Sequence, residues 1–201
     1  MAEGKRVLRR VPWVLWAALI AAAIIGGVQL CRGEGRTVEL VGAGPLASVR
    51  EGDAPEGARY VVRTRSSEPL ADTGRRIDRA ISEWPDVIVI GLDGDQVVDA
   101  PSADRARRIL AEATRRAENA TAVPVVLGFA PGAEGSDGEE PLRDLQRWWR
   151  TELCAQKGLR LCVDIAPHAG DPGAVRAAVA TAVVDALGRH AVLRASTQGE
   201  R

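Results

Sequence analysis

Aromatic side chains are scarce in this 201-residue sequence, which has five Trp, one Tyr and one Phe, or 3% in all. So few rings argue against a surface on which single-stranded nucleic acid stacks. Neither sign of charge is in excess either, because 27 Lys and Arg balance 27 Asp and Glu. A chain without an excess of basic residues has no net positive charge to attract the phosphates of a nucleic acid, so we expect no nucleic-acid partner. The hydrophobic fraction of 46% is that of a folded chain rather than a disordered one.

Metal-binding and cofactor-binding patterns are also missing. Two His and three Cys are too few for a zinc cluster. The sequence has no P-loop, and Gly42-Ala43-Gly44 lacks the third glycine of a dinucleotide-binding fingerprint. We therefore expect neither a metal nor a cofactor.

Cys154 lies near the end of a predicted helix, and Cys162 lies in the predicted strand that follows it. In an oxidising compartment such a pair can form a lasting disulfide bond. Separation along the chain does not fix the distance between their Cβ atoms, so two small buried hydrophobic side chains are the alternative. The sequence leaves both interpretations open.

The first 31 residues have the composition of a membrane anchor. Residues 1–10 are basic, and residues 11–31 carry no charge. At about 1.5 Å per residue, a helix of that length crosses the ~30 Å hydrocarbon core of a bilayer. The positive-inside rule keeps the basic segment in the cytoplasm and places the rest of the chain in the periplasm or outside the cell. A cleaved signal peptide and a lipoprotein anchored at Cys31 are the alternatives, but the run is long for the first and Leu30 is too large for the second.

The remainder of the chain alternates between strand and helix patterns. We interpret residues 32–36 as a linker, residues 37–190 as one domain and residues 191–201 as a flexible tail. Within the domain, apolar runs predict five strands, at 37–41, 60–63, 86–91, 123–129 and 159–164. Apolar residues at helical spacing predict four helices, at 72–84, 102–118 with Ser102 as its N-cap, 141–157, and 171–188 with Gly188 as its end.

This alternation predicts an α/β fold. Each crossover between parallel strands needs a helix, so we expect a three-layer α/β/α sandwich with a five-stranded parallel sheet. Ligands of such sheets collect beyond the carboxyl ends of the strands. We expect any functional site there, at 42–45, 64–68, 92–96, 130–135 and 165–171.

Three stretches at these strand ends resemble the SGNH/GDSL hydrolase family. They are V-E-L-V-G-A-G-P-L-A at 38–47, W-P-D-V-I-V-I-G-L-D-G-D at 84–95 and V-D-I-A-P-H-A-G-D-P-G at 163–173. Their order and spacing match the first, third and last sequence blocks of that family and span essentially all of residues 37–190. The resemblance implies the flavodoxin-like sandwich of SGNH hydrolases and the chemistry of esters and O-acetyl groups.

The catalytic groups that this resemblance implies are mostly replaced. Gly44 stands where the family has its nucleophilic Ser, Asp95 where an Asn helps to hold the oxyanion, and Ile165 where an Asp orients the catalytic His. Only His168, the candidate base, and Gly173 match outright. Members of a triad act as a unit, so loss of the nucleophile alone removes most of the activity.

Two functions are therefore carried forward. The first is a non-catalytic binding or assembly module in the cell envelope, with an envelope carbohydrate or protein as partner and candidate binding residues Gly42, Gly44, Asp93 and Asp95. The second is an active ester hydrolase or O-acetyl-transferring enzyme in which Ser48 is a displaced nucleophile. Asp93 and Asp95 also fit a divalent cation, but a polar turn after a buried strand is the simpler interpretation.

Overall fold

The computed structural model of the chain describes residues 35–130 and 138–198, which contain five strands and four α-helices, in alternation from the second strand onward. The strands are β1 (Arg36–Ala43), β2 (Ala58–Arg65), β3 (Val87–Gly91), β4 (Val123–Leu127) and β5 (Leu161–Val163). The helices are α1 (Leu70–Ser82), α2 (Ala100–Asn119), α3 (Glu139–Trp148) and α4 (Pro172–Gln198).

The five strands form one parallel sheet in the order β2-β1-β3-β4-β5. The predicted five-stranded parallel α/β fold is thus confirmed. Every residue of β3 and β4 is buried, as the uninterrupted apolar runs V-I-V-I-G and V-P-V-V-L predict for strands covered on both faces.

Helices α1, α2 and α3 cover one face of the sheet. Successive strand residues point to opposite faces, so Ile88 and Ile90 of β3 contribute to this layer. They belong to the same buried cluster as Ile77 of α1, Leu110 of α2 and Leu145 of α3.

Helix α4 covers the other face. The alternate residues of β3, Val87 and Val89, form a second buried cluster with Val179 and Val183 of α4 and with Leu46. Leu46 belongs to a short 3-10 helix, Gly44–Ser48, that follows β1 directly. This second layer is therefore built from α4 and from the 3-10 helix Gly44–Ser48, which contains both Gly44 and Ser48.

Two helix boundaries differ from the sequence prediction. Helix α2 is capped by Asp99 rather than Ser102: Asp99 Oδ1 accepts the Ser102 N–H at 2.8 Å, and Ser102 Oγ accepts the Asp99 N–H at 3.0 Å. This reciprocal pair is a capping box. Helix α4 does not end at Gly188 but continues to Gln198, so the expected tail from residue 191 is helical through residue 198.

Helix α4 extends because its last turns are bound to the sheet. Leu187 and His190, on either side of Gly188, are buried. Arg36 Nη1 donates a hydrogen bond to the Leu187 carbonyl oxygen at 2.6 Å. A glycine inside a helix lowers the stability of the helix by about 1 kcal/mol relative to alanine. The contacts of Leu187 and His190 outweigh this loss.

A disulfide bond joins Cys154 and Cys162, whose Cα atoms are 6.0 Å apart. Cys154 follows Trp149–Leu153, a π-helical turn that extends α3, and Cys162 lies within β5. The bond closes a short loop, for which loop-closure entropy gives a stabilisation of roughly 2–3 kcal/mol. It ties the end of α3 to an edge strand of only three residues.

Residues 11–31, the predicted membrane anchor, lie outside the described residues. Within 35–130 and 138–198, no helix is long and apolar enough to cross a membrane.

The end of α4 carries a buried histidine with a defined electrostatic partner. His190 Nδ1 lies 3.5 Å from Asp86 Oδ1, and Arg194 Nη2 lies 3.1 Å from the same oxygen. The other oxygen of Asp86 accepts the Thr37 N–H at 2.8 Å. Burial lowers the pKa of His190 below its ordinary value of 6.5, although the Asp86 carboxylate opposes this shift.

This lowered pKa predicts a dependence of stability on pH. Below pH 6.5 the unfolded chain binds a proton at His190 that the folded chain does not bind, so the free energy of unfolding falls as the pH drops toward the lowered pKa. We expect His190→Gln to show a shallower decrease than the wild type in urea denaturation at about pH 7.5, 6.5 and 5.5. An unchanged slope in the variant would assign the pH dependence to other groups.

Candidate functional site

The candidate site lies where the order of the strands reverses. The chain passes from β1 outward to β2 and then returns across β1 to β3, which leaves a crevice at the carboxyl ends of β1 and β3. A cavity of about 400 Å³ opens at this edge. It contains Gly44, Ser48 and His168. Three of the candidate site residues are therefore brought together.

The walls of the cavity are mostly small and apolar. They include Pro45, Ala47, Ala130, Ile165, Pro172 and Val175. Our sequence reasoning missed this apolar wall, because it searched the strand ends for groups that carry chemistry. The available signal lay within the first and last resemblance blocks, in P-L-A at 45–47 and A-G-D-P-G at 169–173.

Gly44 has a backbone conformation that a nucleophilic serine would not adopt readily. Its φ is +64°, in the left-handed region that favours glycine. A Cβ atom at this position would lie 3.1 Å from Asp93 Cα and 3.4 Å from Asp93 Oδ1. Asp93 therefore lies against Gly44, and a side chain at Gly44 would need a small shift of the Asp93 backbone.

Asp93 and Asp95 form a polar turn beyond β3. Asp93 Oδ1 accepts the Asp95 N–H at 3.1 Å and so caps the 3-10 helix Gly94–Gln96. Burial raises the pKa of Asp93, and the hydrogen bond from Asp95 opposes the shift. The Asp95 side chain is exposed, and neither carboxylate lines the cavity. Within the described ranges, no three His, Cys, Asp or Glu side chains are grouped as a metal site.

His168 reaches the cavity without the carboxylate that would orient it. It ends the short 3-10 helix Ala166–His168 and is half-buried. The nearby Asp164 is occupied elsewhere: its Oδ2 accepts from Arg150 Nη2 at 2.7 Å and its Oδ1 accepts the Ala166 N–H at 3.1 Å. Ile165, at the position of the orienting Asp, is an apolar buried residue. Among the described residues, no carboxylate fixes the imidazole tautomer.

Asp171 is the one carboxylate residue in the described lining of the cavity, but it has a local structural role. Its Oδ1 accepts the N–H groups of Gly173 and Ala174, at 2.8 and 3.1 Å. These are unpaired donors of the first turn of α4, so Asp171 caps the helix.

Ser48 is likewise used by its own turn. Its Oγ donates a hydrogen bond to the Pro45 carbonyl oxygen at 3.0 Å, three residues earlier. A hydroxyl in this arrangement donates to the backbone rather than to a catalytic base.

Gly42 lies inside β1 and does not line the cavity. It pairs with Gly91 of β3, and its φ is +139°. A Cβ atom there would lie 1.8 Å from the Gly91 carbonyl oxygen. Gly42 thus allows close contact between two strands rather than contact with a ligand.

Neither a protein-family model nor a curated protein matches the chain. Several solved structures do. The C-terminal catalytic domain of peptidoglycan O-acetyltransferase A (OatA) from Streptococcus pneumoniae, with a methylsulfonyl adduct, aligns at 12% identity with a TM-score of 0.59, over 77% of this chain and 96% of that one.

Two further structures are similar in fold. TesA aligns at 17% identity with a TM-score of 0.52, over 77% of this chain and 99% of its own. A mutant of the esterase AlinE4 aligns at 15% identity with a TM-score of 0.50, over 70% of this chain and 82% of its own. All three are SGNH/GDSL-type hydrolases, so the resemblance seen in the sequence blocks is confirmed, and this chain has the SGNH/GDSL hydrolase fold.

Proposed function

We propose that this chain is an SGNH/GDSL-fold domain that binds a ligand in its cavity without cleaving it and serves as a binding or assembly module of the cell envelope. The observation that carries the proposal is Gly44, which supplies no nucleophile at the family's serine position and whose left-handed backbone, with Asp93 Cα 3.1 Å from where a Cβ atom would lie, disfavours a serine there. Ile165, a buried apolar residue at the position of the orienting Asp, removes a second member of the expected triad. A hydrolase built on the family's constellation needs both groups.

The cavity chemistry supports a neutral, partly apolar ligand. Its walls are mainly apolar, and the carboxylate of Asp171 is already hydrogen-bonded to α4. The His168 side chain lines the cavity and can hydrogen-bond a carbonyl or hydroxyl oxygen. An acetylated sugar of an envelope carbohydrate combines these features, since a methyl group meets the apolar wall and an ester carbonyl meets the imidazole.

Binding can be tested with an O-acetylated chito-oligosaccharide and with the same oligosaccharide from which only the O-acetyl groups have been removed. We expect the full chain to bind the acetylated form by isothermal titration calorimetry. Ala47→Leu, which fills the cavity, and His168→Ala should each weaken binding at least about tenfold, corresponding to ~1.4 kcal/mol. Ala177→Leu, on the exposed side of α4, is the matched control and should bind as the wild type does. Equal binding of both oligosaccharides, or full binding by Ala47→Leu, would contradict the assignment of the cavity.

The proposed location is outside the cytoplasmic membrane, with the segment 11–31 as a single-pass anchor and the N-terminus in the cytoplasm. The basic flank and the uncharged run support this orientation. The bond between Cys154 and Cys162 adds support, because disulfides persist mainly in oxidising compartments.

This orientation predicts the behaviour of a reporter fused after Arg201. Alkaline phosphatase, which needs export, should be active there, and a cytoplasmic reporter such as β-galactosidase should be inactive. Protease added outside the membrane should digest the part that follows residue 31. A C-terminus protected from that protease would show the opposite orientation.

One observation favours a second function, an ester hydrolase or O-acetyl-transferring enzyme: Ser48 and His168 line the same cavity. Ser48 would have to exchange its bond to Pro45 for one to the imidazole before it could attack an acyl carbon. Ester turnover lost in both Ser48→Ala and His168→Ala, with folding intact, would establish this function in place of the first.

A further inference from the structure

A basic cleft lies beside β2 and α1, separate from the apolar cavity. It is open to solvent, has a volume of about 260 Å³, and is lined by Arg63, Thr64, Arg65, Arg76 and Arg79. Arg63 and Arg65 are two residues apart on a strand, so their side chains point to the same face of the sheet. Arg76 and Arg79 are three residues apart on α1, so they share one side of the helix. The fold thus gathers four guanidinium groups that are scattered along the sequence.

Two of these arginines are held in place by buried carboxylates. Arg63 Nε donates to Glu39 Oε2 at 2.8 Å, and Glu39 is only 2% exposed. Arg76 Nη2 is paired with the buried Glu68, while its Nη1 donates to the Arg63 carbonyl oxygen at 3.0 Å. Charge-assisted bonds to buried groups fix the orientation of a guanidinium plane. The cleft therefore has two cations whose positions are set before any ligand arrives.

The other two arginines are less constrained. The Arg65 side chain is exposed and has no ion pair within the described part of the chain. Arg79 Nε lies 3.8 Å from Glu83 Oε1, with 76% of its side chain exposed. A surface pair of this kind contributes about 0–1 kcal/mol, so Arg79 is readily available to another anion.

The charges of the cleft do not cancel. Its four guanidinium groups face three carboxylates, those of Glu39, Glu68 and Glu83. One positive charge is left over, and it resides on Arg65 and Arg79 at the open side. A matching ligand carries a single negative charge.

We infer that this cleft is a binding site for a singly charged oxyanion with two equivalent terminal oxygens, a phosphodiester or a carboxylate group. The guanidinium fork pairs with two such oxygens, so Arg65 and Arg79 can each hold one. A volume of about 260 Å³ accommodates one anionic group with part of a sugar or glycerol unit. This site is distinct from the cavity and does not depend on the function proposed for it.

The inference can be tested by titrating the full chain in a neutral detergent with three small probes. Glycerophosphoglycerol carries a phosphodiester, glucuronate carries a carboxylate on a sugar, and glucose carries no charge. We expect at least one of the two anions to bind and glucose not to bind. The preference between the anions identifies which of the two groups the site takes.

Two double variants show whether binding belongs to the cleft. Arg65→Gln with Arg79→Gln should weaken anion binding at least about tenfold, since it removes the uncompensated charge. Arg105→Gln with Arg115→Gln removes two exposed arginines of α2 and should leave binding unchanged. Circular dichroism would show that both variants retain the fold. Ala47→Leu, which fills the separate cavity, should also leave anion binding at the cleft unchanged. Loss of ligand binding at the cavity can therefore be distinguished from loss of anion binding at the cleft.

Two results would overturn the inference. The first is that neither anion binds the wild-type chain. The second is that the α2 variant loses as much affinity as the cleft variant, which would show attraction to general surface charge rather than binding at a site.

Discussion

Gly44→Ser combined with Ala43→Asp is expected to leave the chain without measurable esterase activity, although it restores the residue types of the family's first block. The new side chain would sit on a backbone with φ +64° and contact Asp93 at about van der Waals distance or closer. His168 would still lack an orienting carboxylate, because the buried, apolar Ile165 stands at that position. Turnover of p-nitrophenyl acetate should stay within about threefold of the background, since an isolated member of a triad contributes little.

Gly44→Ala combined with Ala43→Asp is the matched control for this experiment, because Ala43 is buried and its replacement must be present in both variants. It introduces the same Cβ atom without a hydroxyl, so both variants should lose a similar amount of stability in thermal denaturation. Left-handed backbone at a residue other than glycine costs of order 1–3 kcal/mol. Ester turnover in the serine variant that is clearly above that of the alanine variant would show that the site retains a working base and oxyanion donor.

The second large effect is expected at Gly42. Gly42→Ala places a Cβ atom 1.8 Å from the Gly91 carbonyl oxygen, in the centre of the sheet and on a backbone with φ +139°. Strands β1 and β3 would have to separate, and neighbours buried on both faces prevent that. We expect a loss of more than about 4 kcal/mol in the free energy of unfolding, or failure to fold.

A contrasting glycine provides the control. Gly188 lies inside α4, and a Cβ atom there would meet nothing within 4 Å. Gly188→Ala should stabilise the chain by about 0.5–1 kcal/mol, because alanine is the better helix former. Urea denaturation of the two variants therefore gives shifts of opposite sign. A stable, cooperatively folding Gly42→Ala variant would mean that β1 and β3 are not in the contact described.

The fold could be predicted from the sequence where local patterns decide structure. The apolar runs of β3 and β4 are buried on both faces, and a parallel sheet is the arrangement that buries them. Boundaries that depend on distant contacts were predicted less well. Gly188 is a typical helix end, yet α4 passes through it, since contacts with Arg36 and Asp86 hold its last turns.

The candidate site was predictable in part for the same reason. The resemblance blocks placed Gly44 and His168 at one edge of the sheet, where the carboxyl ends of parallel strands meet, and both residues line one cavity there. They did not reveal that Asp93 lies against Gly44 or that Asp164 is bound to Arg150. Both facts depend on side-chain directions in loops, which spacing along the sequence does not determine. Gly42 looked like a ligand-contacting glycine, and only the strand register shows its contact with Gly91.

The measurement that tests the central claim most directly is the reaction of the unmodified full chain with acyl esters and a serine-directed phosphonate. Hydrolysis of p-nitrophenyl acetate and the intact mass after incubation with the phosphonate would be measured on the same sample. The absence of a nucleophile at Gly44 predicts hydrolysis at the background rate and no added mass. Turnover that disappears in His168→Ala, together with a phosphonate adduct on Ser48, would contradict a non-catalytic domain and show an active hydrolase with a displaced nucleophile.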